Sequence, residues 1–127
     1  MIATYKRPLR SMSPTLVLQN GTPNLALGTP SGTRIVSCVA LTLLNVLEYD
    51  LPLWEAVTLT RYHHQWKKDA IQIEASTFPS QTLNALKKMG YDVYEQDLGC
   101  RIQAIQKSGE MLRGVSDPRE QGASQGL

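Results

Sequence analysis

The stretch Leu27-Gly28-Thr29-Pro30-Ser31-Gly32-Thr33-Arg34-Ile35 constrains this chain more than any other. An extended run ends there in a Gly/Pro/Ser turn, and an apolar helical run from Ile35 to Leu47 begins at once. Such a strand-to-helix join places the first, unpaired N–H groups of a helix beside the turn, at the positive end of the helix dipole. It can cradle an anion, or an oxyanion that forms during a reaction. It lacks the lysine and the spacing of a phosphate loop. Read from its residues alone, the turn is first of all a connection that needs Gly32 for its geometry.

Short elements surround this turn. Thr15 to Gln19 reads as a strand, Asn20-Gly21 as a hairpin turn, and Asn24 to Gly28 as the returning strand. Thr33 suits the N-cap of a helix from Arg34 to about Tyr49. Apolar residues fall on nearly every face of that helix, which predicts burial between layers. Asp50-Leu51-Pro52 ends it, and Leu53 to Leu59 forms a short helix with Pro52 at its start. Arg61 to Trp66 is extended, and Ile71 to Glu74 alternates as a strand. Pro79 to Met89 is helical, capped by Ser80 and stopped by Gly90. Tyr91 to Tyr94, Arg101 to Gln106 and Met111 to Val115 read as strands, the last two joined as a hairpin. Hairpin, two helices, strand, helix and three strands predict the α+β class, with helices layered on a mainly antiparallel sheet. Residues 1–127 read as a single domain, with about 116–127 a loosely packed tail.

Composition narrows the function classes. At 127 residues and 42% hydrophobic content the chain can build one ordinary core. The net charge is only +2, and no window is dense in Lys and Arg, so no nucleic-acid partner is expected. The longest apolar run is too short to span a bilayer. The first residues contain no apolar signal-peptide core, so none is expected. Cys38 and Cys100 form no CxxC pair, which indicates neither zinc nor a redox motif. A buried free Cys38 is the preferred reading, with a single disulfide as the alternative.

The other candidates read plainly. His63 and His64 are adjacent in an extended segment, so they point to opposite faces and cannot share one metal. A hydrogen-bonding role is expected for them. Ser11 and Ser13 precede Pro14 without a GxSxG elbow or a fixed base, so they read as turn residues. Asp117-Pro118-Arg119 reads as a surface turn with a local ion pair of little worth.

Taken together, these pieces resemble one family. Lys6-Arg7-Pro8-Leu9-Arg10-Ser11-Met12-Ser13-Pro14-Thr15 resembles the KRPLSSMSPT segment of the gamma-glutamyltransferases, or glutathione hydrolases. Gly28-Thr29-Pro30-Ser31-Gly32-Thr33-Arg34-Ile35 resembles their GSPGGSRI. Arg61-Tyr62-His63-His64-Gln65-Trp66 resembles PRFHHQW, and Ser116-Asp117-Pro118-Arg119 resembles SDPR. All of these motifs agree in order and spacing, and the similarity runs from about Lys6 to the end.

The resemblance implies part of an N-terminal-nucleophile hydrolase, an αββα sandwich. In that family a precursor cuts itself. The new N-terminal threonine of the small subunit then attacks a gamma-glutamyl amide such as glutathione and passes the glutamyl group to water, an amino acid or a peptide. The resemblance assigns oxyanion stabilisation to Ser31 and Gly32, and binding of the substrate carboxylate to Arg10 and Ser11. It implies no cofactor and no metal. The parent family is commonly periplasmic, secreted or membrane-anchored, while this chain leaves its compartment open.

The departures are specific. The TTHYS-like segment that carries the nucleophile lies upstream of KRPL in the family and has no counterpart here. The large subunit has no counterpart either. Arg10 stands where the family has a serine, and Ser31 stands where it has a glycine. If that glycine needs positive φ, serine strains the turn by about 1 kcal/mol. One expectation is therefore part of an enzyme completed by a large subunit or a missing N-terminal segment. The other is a non-catalytic remnant that acts as an interaction module or has no role. The chain alone is expected to be inactive, and exposed sheet edges and apolar faces are expected to make it self-associate.

Overall fold

The computed structural model describes residues 4–5, 12–75 and 78–125. The chain runs β1 (Thr15–Gln19), β2 (Thr22–Gly28), a 3-10 turn (Gly32–Arg34), α1 (Ile35–Leu47) and α2 (Leu53–Thr58). It continues as β3 (Tyr62–Gln65), β4 (Lys68–Ile73), α3 (Ser80–Lys88), β5 (Asp92–Glu95), β6 (Gln103–Ser108) and β7 (Met111–Ser116). The predicted order of elements holds with one addition: the extended Arg61 to Trp66 segment contributes a strand of its own, β3, ahead of the predicted strand β4. The strands divide into two sheets.

The larger sheet has the order β1-β2-β6-β7 and is antiparallel throughout. Asn20 (φ 52) and Gly21 (φ 77) close its first hairpin in the left-handed conformation that a two-residue turn requires. The two hairpins join through β2 and β6, where Leu25 faces Gln106 and Gly28 faces Gln103. The smaller sheet has the order β3-β4-β5. Its β4 and β5 are parallel, which demands a crossover, and α3 supplies it.

The core lies between the larger sheet and the helices α1 and α2. Leu25 and Leu27 of β2 meet Ile35, Cys38, Val39 and Val46 of α1, and Leu53, Ala56 and Val57 of α2. The segment Leu98 to Ala104 closes this core through Leu98, Cys100, Ile102 and Ala104. Strand alternation leaves the opposite sheet face open. Leu16, Ala26, Ile105 and Gly114 stand in one register across that face, and Leu16 (58%) and Ile105 (51%) are more than half exposed.

Four local expectations are corrected. Helix α1 is not buried all round: Val36, Leu44 and Leu47 are exposed. Thr33 does not cap it. The 3-10 turn leads in instead, with Arg34 N–H donating to Ser31 O at 3.4 Å and Ile35 N–H donating to Gly32 O. Ser80 is the first residue of α3 and makes no capping hydrogen bond; Pro79 precedes it with an extended ψ of 134°. Cys38 is not free. It is bonded to Cys100 across 62 residues, both half-cystines fully buried with Cα atoms 6.5 Å apart. Loop closure over that separation stabilises the fold by about 4 kcal/mol in the chain-entropy picture.

The segment from Ser116 to Arg119 is also firmly held, although a loose tail and a surface turn were expected there. Asp117 is fully buried. Its Oδ2 accepts from Arg61 Nη2 at 2.8 Å and from Ile102 N–H at 2.9 Å. Its Oδ1 accepts from Arg119 N–H and Arg119 Nη1, each at 3.1 Å. The local ion pair is thus one edge of a buried network. Arg119 Nη2 reaches Glu74 Oε2 at 2.7 Å, and that same oxygen accepts from Arg61 N–H at 2.9 Å. This network ties the smaller sheet and α2 to the end of β7. Burial opposes ionisation of Asp117, but the N–H groups of Ile102 and Arg119 and the charge of Arg61 outweigh it, holding the carboxyl below its ordinary range.

Candidate functional site

The turn between β2 and α1 carries both predicted oxyanion positions. Ser31 has φ 142 and ψ 20, and Gly32 has φ 60. Both lie in the positive-φ region, where glycine is at ease and serine is not. The strain expected of a serine at this position is therefore present. Ser31 is half-buried and Gly32 is exposed. Among the described residues, neither backbone N–H has an acceptor. No acidic side chain occupies the first turn of the 3-10 segment or of α1, so nothing there offsets the positive helix end.

The turn leans on the segment Asp97 to Arg101. Ser31 Oγ donates to Leu98 O. Thr29 Oγ1 accepts from Arg101 N–H at 2.6 Å and donates to Pro30 O at 2.8 Å. Gly99 (φ 67) comes so close that a Cβ added there would lie 3.4 Å from Ser31 Oγ. Asp97 accepts from Gly99 N–H at 2.8 Å and pairs with both terminal nitrogens of Arg101, at 2.9 and 3.2 Å. Those two contacts hold the Asp97 carboxyl at about 2, with the Arg101 hydrogen bond the larger cause. Sequence reasoning missed this supporting segment. Its one signal was the Asp-x-Gly spacing of Asp97 and Gly99, a side-chain-to-backbone turn pattern.

The second wall is polar. Arg34 Nε donates to Gln72 Oε1 at 2.9 Å. His63, opposite Gln72 in the β3–β4 pair, is buried. Its Nδ1 lies 2.8 Å from Ser37 Oγ and its Nε2 lies 3.0 Å from Gln65 Oε1. His64 points the other way and meets the exposed Asp69 at 3.1 Å. The two rings do take opposite faces and act in hydrogen bonding. Arg10 and Ser11, the predicted carboxylate contacts, lie outside the described residues. Among the described residues, no helix is long and apolar enough to cross a membrane.

Helices over one face of an antiparallel sheet, with the other face open, are one half of an αββα sandwich. The fold is of the α+β, N-terminal-nucleophile hydrolase class, as solved relatives show. A variant gamma-glutamyltranspeptidase of Pseudomonas nitroreducens superposes with a TM-score of 0.91 at 40% identity, covering 99% of this chain and 66% of that one. The Helicobacter pylori gamma-glutamyltranspeptidase T380A mutant gives 0.86 at 37% identity, over 94% of this chain and 66% of that one. A cephalosporin acylase from Bacillus halodurans, at 21% identity and a TM-score of 0.74, shares the fold alone.

The sequence model of the gamma-glutamyltranspeptidase family matches residues 1–127, and the chain belongs to that family. The glutathione hydrolase proenzyme of Escherichia coli K12 is 40% identical over 120 residues, which is 93% of this chain and 20% of that protein. The corresponding proenzyme of Pseudomonas aeruginosa is 40% identical over 92% of this chain and 22% of its own length. The chain thus spans about a fifth of the curated relatives that it matches.

Proposed function

We propose that this chain is the C-terminal part of the small subunit of a gamma-glutamyltransferase, or glutathione hydrolase, and supplies contacts to the reaction without its nucleophile. The carrying observation is the Ser31–Gly32 turn, whose two N–H groups have no acceptor among the described residues and sit at the start of a helix. In the proposed reaction a threonine from another segment attacks the gamma-glutamyl amide carbon. Negative charge then develops on the amide oxygen, and the Ser31 and Gly32 N–H groups stabilise it. Ser11 and Arg10 hold the substrate alpha-carboxylate, Arg10 as a cation in place of a hydroxyl. The acceptor is water, an amino acid or a peptide.

The open face of the larger sheet supports the rest of this reading. A cleft of about 680 Å³ runs over it between Leu16, Ala26, Ile105 and the tail residues Ala123 to Gln125. In the complete enzyme this face meets the opposing sheet, as the sandwich architecture requires. In isolation it drives self-association.

A non-catalytic paralogue is the second reading, favoured by the side chain that Ser31 carries at φ 142. One experiment separates the two. The purified chain is incubated with a gamma-glutamyl anilide, alone and after co-folding with a large subunit and nucleophile-bearing segment taken from a relative. Release of the aniline only in the co-folded sample supports the enzyme reading. No release from a correctly assembled complex overturns it, and turnover by the chain alone refutes the assignment of the nucleophile to another segment.

A further inference from the structure

The geometry points to a clamp behind the Ser31–Gly32 turn: we propose that Thr29, the segment Leu98–Arg101 and the Cys38–Cys100 disulfide act as positioning residues for it. The inference rests on the reading of that turn as the oxyanion donor and names what holds it in place.

The side chains of Thr29 and Ser31 are both engaged by the same segment. Thr29 Oγ1 accepts from Arg101 N–H at 2.6 Å, and Ser31 Oγ donates to Leu98 O. That segment is itself fixed at both ends. Asp97 ties Gly99 and Arg101 together, and Cys100, between them, is bonded to Cys38 one turn into α1. Helix α1 begins at the turn. A closed ring results: turn, first turn of α1, disulfide, supporting segment, and two hydrogen bonds back to the turn. Arg61 adds an outer contact, its Nη1 donating to Cys100 O at 3.4 Å.

The ring answers a specific difficulty. Ser31 occupies a conformation that disfavours its side chain, so the backbone by itself would relax away from it. The hydroxyl that makes the residue a poor fit also supplies the bond that holds it there. Oxyanion stabilisation depends on donors that are already in place when charge develops, so a turn free to relax loses transition-state binding before it loses substrate binding.

Amide exchange on the complete chain tests the clamp without any activity. The reporters are the Arg34 and Ile35 amides, whose acceptors are Ser31 O and Gly32 O. Thr29→Val and Ser31→Ala should each speed their exchange about tenfold, the effect of losing roughly one hydrogen bond, while the β2 and β6 amides keep their protection. Thr29→Ser retains the accepting oxygen and should restore the slow rate. A Cys38→Ala/Cys100→Ala double variant should loosen the same amides; if it does not fold, the Thr29 series decides alone. Unchanged exchange in Thr29→Val and Ser31→Ala overturns the clamp, and so does equal loosening in Thr29→Ser. In the co-folded enzyme, Thr29→Val should lower kcat about tenfold with KM within about twofold. A loosened turn with unchanged kcat refutes the positioning role. Absence of turnover in the unsubstituted complex is failure of the functional reading and leaves the exchange result standing.

Discussion

Replacing Asp117 with asparagine tests whether the buried ionic network holds the two sheets together. Each carboxylate oxygen accepts two donors: Oδ2 takes Arg61 Nη2 and Ile102 N–H, and Oδ1 takes Arg119 N–H and Nη1. An amide has only one accepting oxygen. However it turns, its NH2 group faces two donors and leaves them unsatisfied, and Arg61, 2% exposed, loses its buried counter-charge. Removing one partner of a buried pair costs about 3–5 kcal/mol. A domain of this size holds roughly 5–15 kcal/mol in all. With a urea slope of about 2 kcal/mol/M, the unfolding midpoint should fall by on the order of 2 M. The measurement is urea unfolding followed by tryptophan fluorescence and far-UV circular dichroism together, at neutral pH. A midpoint within about 0.3 M of the unsubstituted chain would show that solvent reaches the network and that the burial argument is wrong. The sign with pH follows. The folded-state pKa of Asp117 is lowered, so its contribution is complete above the ordinary carboxylate range and is lost as acid protonates it. Asp117→Asn should therefore differ most from the parent near neutrality and converge with it in acid.

Other outcomes are expected. Asp97 should titrate near 2 by carboxyl NMR, so the order it gives the segment beside Ser31 is present above 3.8 and lost as pH falls through about 2; Arg101→Gln should return the midpoint toward its ordinary value, and an unmoved midpoint would sink the pairing. Ser31→Gly trades a lost hydroxyl bond for relief of positive-φ strain and should change stability by less than about 1 kcal/mol, whereas Ser31→Ala loses the bond, keeps the strain and should cost about 1 kcal/mol. The reverse order in thermal unfolding would refute the strain assignment. Leu16→Lys with Ile105→Lys should reduce self-association seen by light scattering without lowering the unfolding midpoint, because both side chains stand on the open sheet face.

Much of the architecture was legible in residues alone because local chemistry dictates it. Asn20-Gly21 demands a tight hairpin, Gly90 (φ 90) ends α3 in a conformation that glycine adopts freely, and period-two alternation marks β6. The family was legible too, since its motifs keep their order along the chain. The adjacency of His63 and His64 in an extended segment was enough to place them on opposite faces.

What only the tertiary structure decided are the contacts between residues distant in sequence. Cys38 and Cys100 lie 62 residues apart, and no local pattern says whether a buried thiol has a partner. Asp117-Pro118-Arg119 is locally indistinguishable from a surface turn; it becomes a buried network because Arg61 and Glu74 arrive from another part of the chain. The apolar pattern of α1 predicted burial between layers, but a hydrophobic residue is buried only where neighbours cover it, and Val36, Leu44 and Leu47 stay more than half exposed. The Gly28–Ile35 turn stands between these cases. Its sequence announced a strand-to-helix join, and the family resemblance raised strain at Ser31 as a condition that the structure's φ of 142 meets. Its anchoring to Leu98 and Arg101 depends on a segment some seventy residues away, separations of 67 and 72, which chain entropy separates and only the packed core brings together.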